Sequence, residues 1–153
     1  MKGSWVAIGL VAVLLSGCAG SSPPAPQREQ AAMDVADSPV IGPRWRLILL
    51  GTDERWSGNQ PAWFEVAPEG GTLRLVGSDG CNRLSGQVEL DDGNRIRIQN
   101  LASTRMACPN MAEAQRANAL LENAYRYLID DDRLVFFGRD SRVLGGFQRT
   151  SAR

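Results

Sequence analysis

The sequence contains no histidine, and its only lysine is Lys2, so 16 of its 17 basic residues are arginine. Ser-His-Asp triads, Cys-His pairs, Ser-Lys dyads and Schiff-base lysines all need a residue type that is missing after Lys2. Zinc sites usually need histidine or several free cysteines, and the chain has three cysteines. These absences predict a protein without catalytic residues, metal or cofactor. Carboxylate chemistry, such as the acid pair of a glycosidase, is the enzymatic alternative that the composition leaves open.

Long blocks of one charge are also lacking. Basic and acidic residues number 17 each, and the longest run of like charge is Asp130-Asp131-Asp132. The sequence has no basic patch of the kind that would indicate nucleic acid as a partner. The acidic run lacks the alternating spacing and closing Glu of an EF-hand calcium loop, so it predicts a turn rather than a metal site.

The amino-terminal residues have the order of a bacterial lipoprotein signal. Lys2 precedes an apolar run over residues 5–15, and Ser16-Gly17 provides small residues directly before Cys18. The run is shorter than the roughly 20 apolar residues that span a bilayer. We therefore predict that residues 1–17 are removed and that acyl chains on Cys18, the new amino terminus, tether the protein to a membrane. An ordinary secretory signal with an incidental cysteine is the alternative.

Residues 18–43 are predicted to be the acylated cysteine followed by a flexible linker. The segment contains prolines at 23, 24, 26, 39 and 43 and few residues that could form a core. Such a composition is typical of extended, mobile chain. Ala19 follows the predicted acylated cysteine, where Gram-negative lipoproteins retained in the inner membrane commonly carry Asp. Ala19 therefore favours the outer membrane, with the domain facing the periplasm.

From Arg44 onward, short segments alternate apolar and polar residues, which is typical of strands. The clearest pair is a hairpin around residues 91–94, where Gly93 can take the positive φ that such a turn needs. Further strands are predicted at residues 45–50, 62–66, 72–77, 133–137 and 143–147.

One segment has helical spacing. Apolar residues spaced by three and four run from Met111 to Leu128, so the predicted helix ends near Leu128 or Ile129. Asn110 can cap its first turn, with Glu113 three residues on as in a capping box. One helix inserted among antiparallel strands indicates the α+β class.

Cys81 and Cys108 are the two cysteines of the folded part. Outside the cytoplasm, an even pair of cysteines most often forms a disulfide. Closing this loop of about 28 residues would stabilise the fold by about 3.5 kcal/mol on the chain-entropy estimate. A reactive thiol is the alternative, but neither cysteine has a His or a C-x-x-C neighbour to activate it.

Two motifs flank the predicted hairpin: Gly80-Cys81-Asn82-Arg83 with Gly86, and Leu101-Ala102-Ser103-Thr104-Arg105-Met106-Ala107-Cys108-Pro109 before the helix. They resemble the META domain of HslJ-type proteins, and the resemblance covers residues 44–149, leaving residues 150–153 as a tail. It implies a curled antiparallel sheet, close to a partly open barrel, with one helix packed on or in it. It also implies an envelope or secreted protein linked to stress or drug resistance, in a family without a settled biochemical activity.

The resemblance also extends to single residues. Cys81 and Cys108 match the family's cysteines, and Asn82, Thr104 and Arg105 match motif positions without a known catalytic role. Asn82 is expected to hydrogen-bond within its own turn. Thr104 and Arg105 are expected to join a structural network in which Arg105 pairs with a carboxylate.

The fold is also similar to that of a lipoprotein pilotin of type III secretion, which holds acyl chains in a cleft. The interior-facing strand residues could either line such a cleft or fill the space. The helix carries Gln115, Arg116 and Asn118 where family helices place a large apolar residue, which argues against a lipid-sized cavity. The strand residues expected to face the interior are Phe64, Val66, Leu73, Leu75, Ile96, Ile98, Leu134 and Phe136.

We expect an acyl-anchored envelope lipoprotein whose META-like domain is a non-enzymatic binding or assembly module. Its expected partners are the membrane, through the acyl chains, and a lipid or an envelope protein. One alternative is an envelope enzyme that uses carboxylates such as Glu65, Glu69 or Asp79. The other is an envelope-stabilising protein with no small ligand.

Overall fold

The computed structural model describes residues 37–150. Cys18, the predicted cleavage site before it and most of the predicted linker lie outside the described residues. Within residues 37–150, no helix is both long and apolar enough to cross a membrane.

The elements within residues 37–150 are β1 (Arg44–Leu50), β2 (Glu54–Arg55), β3 (Ala62–Glu69), β4 (Thr72–Asp79), β5 (Arg83–Asp91), β6 (Arg95–Ser103), α1 (Met111–Glu122), β7 (Arg126–Asp130), β8 (Arg133–Phe137) and β9 (Val143–Thr150). These nine strands form a single curled antiparallel sheet in the order β2-β1-β3-β4-β5-β6-β7-β8-β9. Pairing of β1 with β9 closes the sheet into a ring. This confirms the predicted α+β class with a curled antiparallel sheet.

The ring is incomplete between β6 and β7. The two strands share one residue pair, Arg95 with Arg126, and α1 lies in the connection between them. The helix buries Ala114, Ala117, Leu120 and Leu121 and contacts β1, β4 and β6. The helix therefore packs its apolar side chains into the core formed by the sheet.

Close packing seats the helix against β9. A Cβ atom on Gly145 would lie 2.3 Å from Leu120 Cδ1 and 2.6 Å from the carbonyl oxygen of Leu49. Because the second contact is with backbone, only glycine fits at this position without a shift of β1 or β9.

The interior is filled with side chains. Phe64 and Phe136 stack with ring centroids 5.6 Å apart, and Phe147 meets Phe64 edge-on at 5.1 Å. Of the eight residues expected to face the interior, seven are buried and Leu73 is partly buried. These residues therefore fill the interior as a packed core and do not line an open cleft.

The hairpin of β5 and β6 forms as predicted. Leu90 pairs with Ile96, and the turn between the strands places Gly93 at φ 72° and Asn94 at φ 56°. On the outer face, Arg97 donates to Glu89 over 2.8 Å. Both side chains are more than half exposed, so this is the solvated face that the alternation predicts.

The predicted end of the helix is wrong. The helix ends at Glu122, and Asn123 closes it with hydrogen bonds from its backbone N–H and from its side chain to the Ala119 carbonyl. The chain then enters β7, which pairs with β8 through a turn where Asp131 has φ 53°. Leu128, expected on the buried stripe, is 53% exposed. Its spacing fits a helix, but pairing with β8 satisfies the backbone of this segment as a strand.

The predicted capping box does not form. Asn110 occupies the N-cap position without a side-chain cap hydrogen bond. Its Oδ1 instead accepts a hydrogen bond from Asn59 Nδ2 over 2.7 Å. The side chain is thus used to attach the β2–β3 loop to the start of the helix.

The folded part begins earlier than Arg44. Val40 is fully buried and its carbonyl accepts a hydrogen bond from Trp45 Nε1. Ser38 Oγ lies 2.7 Å from the Tyr127 hydroxyl, and Ile41 bridges to Val66. Residues 38–43, assigned above to the linker, are therefore part of the domain. The sequence did not predict this, because the two apolar residues Val40 and Ile41 are too few to form a recognisable pattern. At the other boundary, residue 150 ends β9 rather than beginning a tail.

Candidate functional site

A buried carboxylate organises the loop between β4 and β5. Asp79 is fully buried, and its Oδ1 accepts hydrogen bonds from the backbone N–H groups of Cys81, over 2.9 Å, and Asn82, over 2.5 Å. Gly80, which lies between Asp79 and Cys81, has φ 89°, a conformation that favours glycine. The Gly80-Cys81-Asn82 motif is therefore a tight turn wrapped around the Asp79 carboxylate.

Asn82 joins this turn to the segment that follows β6. Its Oδ1 accepts a hydrogen bond from the Met106 N–H over 2.8 Å, and its Nδ2 donates to Asp79 Oδ2 over 3.3 Å. Thr104 Oγ1 accepts from the Arg83 N–H over 3.1 Å and lies 3.4 Å from Asn82 Oδ1. Asn82 and Thr104 thus tie together two segments that are distant in the sequence.

Cys81 and Cys108 are linked by a disulfide whose Cα atoms are 6.0 Å apart. The bond connects the same two segments as Asn82 and Thr104. The turn after β4 and the segment before the helix are therefore held by one covalent link and several hydrogen bonds.

The helix enters this network through Asn118. Its Nδ2 donates to Asp79 Oδ2 over 2.9 Å, while its Oδ1 is buried without a partner among residues 37–150. We refer to Asp79, Asn82, Thr104 and Asn118 as the Asp79 network. Sequence reasoning missed the link between Asp79 and Asn118, although a polar Asn on the helix and an Asp directly before the turn motif were both visible.

A second polar residue of the helix, Arg116, binds a side chain of the sheet. Arg116 donates from both terminal nitrogens to the Glu54 carboxylate of β2 over 2.5 Å. The hydrogen bond from Arg116 lowers the pKa of Glu54 below its ordinary value. Of the polar helix residues noted above, Arg116 therefore binds β2 and Asn118 binds Asp79.

The predicted ion pair of Arg105 is absent. No ion pair within residues 37–150 includes Arg105, and the residue is exposed. It lies between the end of β6 and the start of the helix, where no neighbouring strand brings a carboxylate next to it.

The three candidate catalytic carboxylates do not come together. Glu65 points outward and pairs with Arg44 over 2.6 Å, and Glu69 pairs with Arg74 over 2.8 Å. Asp79 points inward and is fully buried. Among the described residues, no cluster of three His, Cys, Asp or Glu side chains could hold a metal ion. The carboxylate-enzyme alternative therefore gains no support from the arrangement of these groups.

A groove of about 1090 Å³ lies on the outer face of the sheet beside the Asp79 network. We call it the outer groove. It spans β1, β3, β4 and β5 and reaches the segment after β6. The lining side chains used below are Arg46, Trp63, Val76, Ser78, Arg83 and Met106.

Among residues 37–150, the outer groove is lined by more arginines than carboxylates. Arg44 at its edge lies over the Trp63 ring at 4.0 Å and is neutralised by Glu65. Arg46 and Arg83 are exposed, and neither has an ion-pair partner within residues 37–150. Sequence reasoning did not predict this pair of arginines, because strand alternation does not show which residues become neighbours across strands.

The chain is similar to several solved structures. A protein from Burkholderia xenovorans, solved by NMR, is 19% identical, with a TM-score of 0.59 and coverage of 93% of this chain and 100% of that chain. Another NMR structure is 21% identical, with a TM-score of 0.54 and coverage of 69% and 87%. The crystal structure of a DUF4847 family protein from Bacteroides vulgatus ATCC 8482 is 12% identical, with a TM-score of 0.54 and coverage of 77% and 99%. These likenesses show the fold alone.

No curated protein matches the chain. A model of the META domain matches residues 38–151, which include all nine strands and the helix between them. This chain therefore belongs to the META domain family.

Proposed function

We propose that this protein is an acyl-anchored lipoprotein of the bacterial envelope whose META domain binds an anionic envelope component in the outer groove, without a catalytic step. The observation that carries the proposal is a pair of exposed arginines in one large groove, Arg46 and Arg83, which have no ion-pair partner within residues 37–150. Arginine forks bind carboxylates and phosphates with two parallel hydrogen bonds, which gives direction as well as strength.

The packed interior favours the outer groove over an internal lipid cleft. Phe64 and Phe136 are fully buried and Phe147 is 3% exposed. An acyl chain inside the barrel would have to displace these rings. Opening a packed aromatic core costs several kcal/mol, about as much free energy as truncating a buried Phe side chain. Binding at the outer face leaves the core intact.

The position of the amino-terminal segment fits a tethered domain. Asp37, Ser38 and Pro39 lie beside the turn between β5 and β6. The Asp79 network lies at the opposite end of β4 and β5. A tether attached through Ser38 would thus hold the end of the barrel that is remote from the disulfide towards the membrane.

The anchor is tested by fatty-acid labelling in a Gram-negative host. Cells fed a clickable palmitate analogue should label the wild type in the outer-membrane fraction, because acyl chains on Cys18 are the predicted tether. The Cys18→Ser variant should lose both the label and the membrane association. The matched control is Cys81→Ala with Cys108→Ala, which keeps Cys18 and should keep the label. Persistent labelling of Cys18→Ser would contradict the lipoprotein assignment.

Binding is tested with fluorescent poly-L-glutamate as a model polyanion. The wild type in non-ionic detergent should bind it saturably, and Arg46→Glu with Arg83→Glu should weaken binding by at least about tenfold because both attractions become repulsions. Salt should weaken wild-type binding, since exposed charges are screened. A fluorescent fatty acid should show no saturable binding.

The matched control is Arg95→Glu with Arg126→Glu. These arginines are exposed and lie opposite one another in β6 and β7, outside the outer groove. The control changes net charge by the same amount, so binding should fall much less than in the groove variant. Equal losses in the two variants would show a general charge effect and overturn the groove assignment. Absence of polyanion binding in the wild type would favour the role of a stabilising protein without a ligand.

A further inference from the structure

The two arginines of the outer groove that have no ion-pair partner within residues 37–150 lie in one row across four strands. Arg46 of β1 is paired with Trp63 of β3, Trp63 with Ser78 of β4, and Ser78 with Arg83 of β5. All four side chains line the groove. The row therefore has a charged group at each end and an aromatic ring and a hydroxyl between them.

The length of this row can be compared with an extended peptide. Neighbouring strands lie about 4.8 Å apart, so three spacings separate Arg46 from Arg83 by about 14 Å. An extended chain rises about 3.4 Å per residue, so four residues also span about 14 Å. An even separation places both side chains on the same face of the peptide. Carboxylates at positions i and i+4 thus match the two arginines.

The middle of the row is suited to an apolar side chain. Trp63 and Ser78 lie between the arginines, and Val76, two residues before Ser78 on the same face of β4, is 38% exposed. The side chain at position i+2 of the peptide would point at this surface. Met106, which is 56% exposed, extends the apolar surface at the far side of the groove.

Addition of the peptide as a further strand does not fit this surface. β1, β3, β4 and β5 each have a strand on both sides, so a peptide cannot extend the sheet here and must be recognised through side chains.

We propose that the outer groove binds an extended acidic segment of another envelope protein, lying across the strands. Carboxylates at i and i+4 pair with Arg46 and Arg83, and an apolar residue at i+2 covers Trp63 and Val76. This proposal rests on the anionic-ligand function proposed above and specifies the spacing of its charges.

The test uses fluorescent peptides of one composition, each with two Glu residues and one Leu among Ser and Gly, titrated with the full chain in non-ionic detergent. The Glu residues are placed at i and i+3, i and i+4, or i and i+5, and binding is followed by anisotropy. The i, i+4 peptide should bind at least about tenfold more tightly than the other two, because odd separations direct the carboxylates to opposite faces. Moving Leu from i+2 to i+1 should weaken binding.

A double-mutant cycle assigns each contact. Arg46→Gln should weaken the i, i+4 peptide about tenfold, and should have little further effect on a peptide whose facing Glu is replaced by Gln. Arg83→Gln should behave in the same way with the other Glu. Arg95→Gln is the control and should leave all affinities unchanged. Circular dichroism should show that these exposed substitutions keep the fold.

The outcomes separate the two proposals. Equal affinity for the three spacings, with poly-glutamate binding still lost in Arg46→Glu with Arg83→Glu, overturns the peptide register and leaves the anionic groove in place. Tighter binding of vesicles containing phosphatidylglycerol than of the i, i+4 peptide overturns the protein segment as occupant. If the groove variants still bind both poly-glutamate and the i, i+4 peptide as the wild type does, both proposals are overturned.

Discussion

Replacement of Asp79 by alanine should lower the free energy of unfolding by about 4 kcal/mol, because hydrogen bonds to a buried charged group are among the costliest to remove. Asp79 accepts hydrogen bonds from the backbone of Cys81 and Asn82 and from the side chains of Asn82 and Asn118. Alanine would leave these donors without their acceptor in a buried site. The measurement is chemical denaturation of the oxidised protein.

Asp79→Asn is the matched variant for this experiment. It keeps one oxygen for the backbone donors of the turn, and its new NH2 group can donate to Asn118 Oδ1, which has no partner among residues 37–150, if the Asn118 amide turns over. We expect a loss of less than about 2 kcal/mol, since most of the turn's hydrogen bonds are retained. Equal losses for Asp79→Ala and Asp79→Asn would show that the negative charge matters more than the acceptor. A loss below about 1 kcal/mol for alanine would contradict the role of the Asp79 network in stability.

The features that local chemistry determines could be predicted from the sequence. The hairpin of β5 and β6 needs only alternation and a turn that accepts positive φ, and both are present around Gly93. The same holds for the interior positions of β3 and β8, where Phe64 and Phe136 are buried as expected. In each case, a few neighbouring residues contain the whole signal.

The features that depend on distant partners could not be predicted. Leu128 fits helical spacing, yet its segment becomes a strand because β8 pairs with it. Val40 belongs to the core because Trp45 donates a hydrogen bond to its carbonyl and the next residue, Ile41, bridges to Val66. The row from Arg46 to Arg83 exists only after four strands have aligned, and no single strand contains the pattern.

Loss of the disulfide should have the second largest effect on stability. Replacing Cys81 and Cys108 by alanine should lower the free energy of unfolding by about 3.5 kcal/mol on the chain-entropy estimate for a closed loop of this length. The cysteines are 27 residues apart, and the loop between them contains β5 and β6. The slope of the unfolding free energy against denaturant should rise, because the unfolded chain without the cross-link exposes more surface.

Reductant provides the matched control for this prediction. Dithiothreitol should shift the wild-type denaturation midpoint close to that of the double alanine variant and should leave the variant itself unchanged. An unchanged wild-type midpoint, with the free thiols confirmed by alkylation, would show that the bond adds nothing to stability.

Because the Cys81 N–H also donates to Asp79 Oδ1, the effects of losing the disulfide and of Asp79→Ala should not add. Once either constraint is gone, the turn after β4 is already loosened, so the second loss costs less. We expect the triple variant to fall short of the sum by about 1 kcal/mol or more, as is usual for groups in direct contact. Strict additivity would mean that the disulfide acts on the unfolded chain alone and does not share the turn with the Asp79 network.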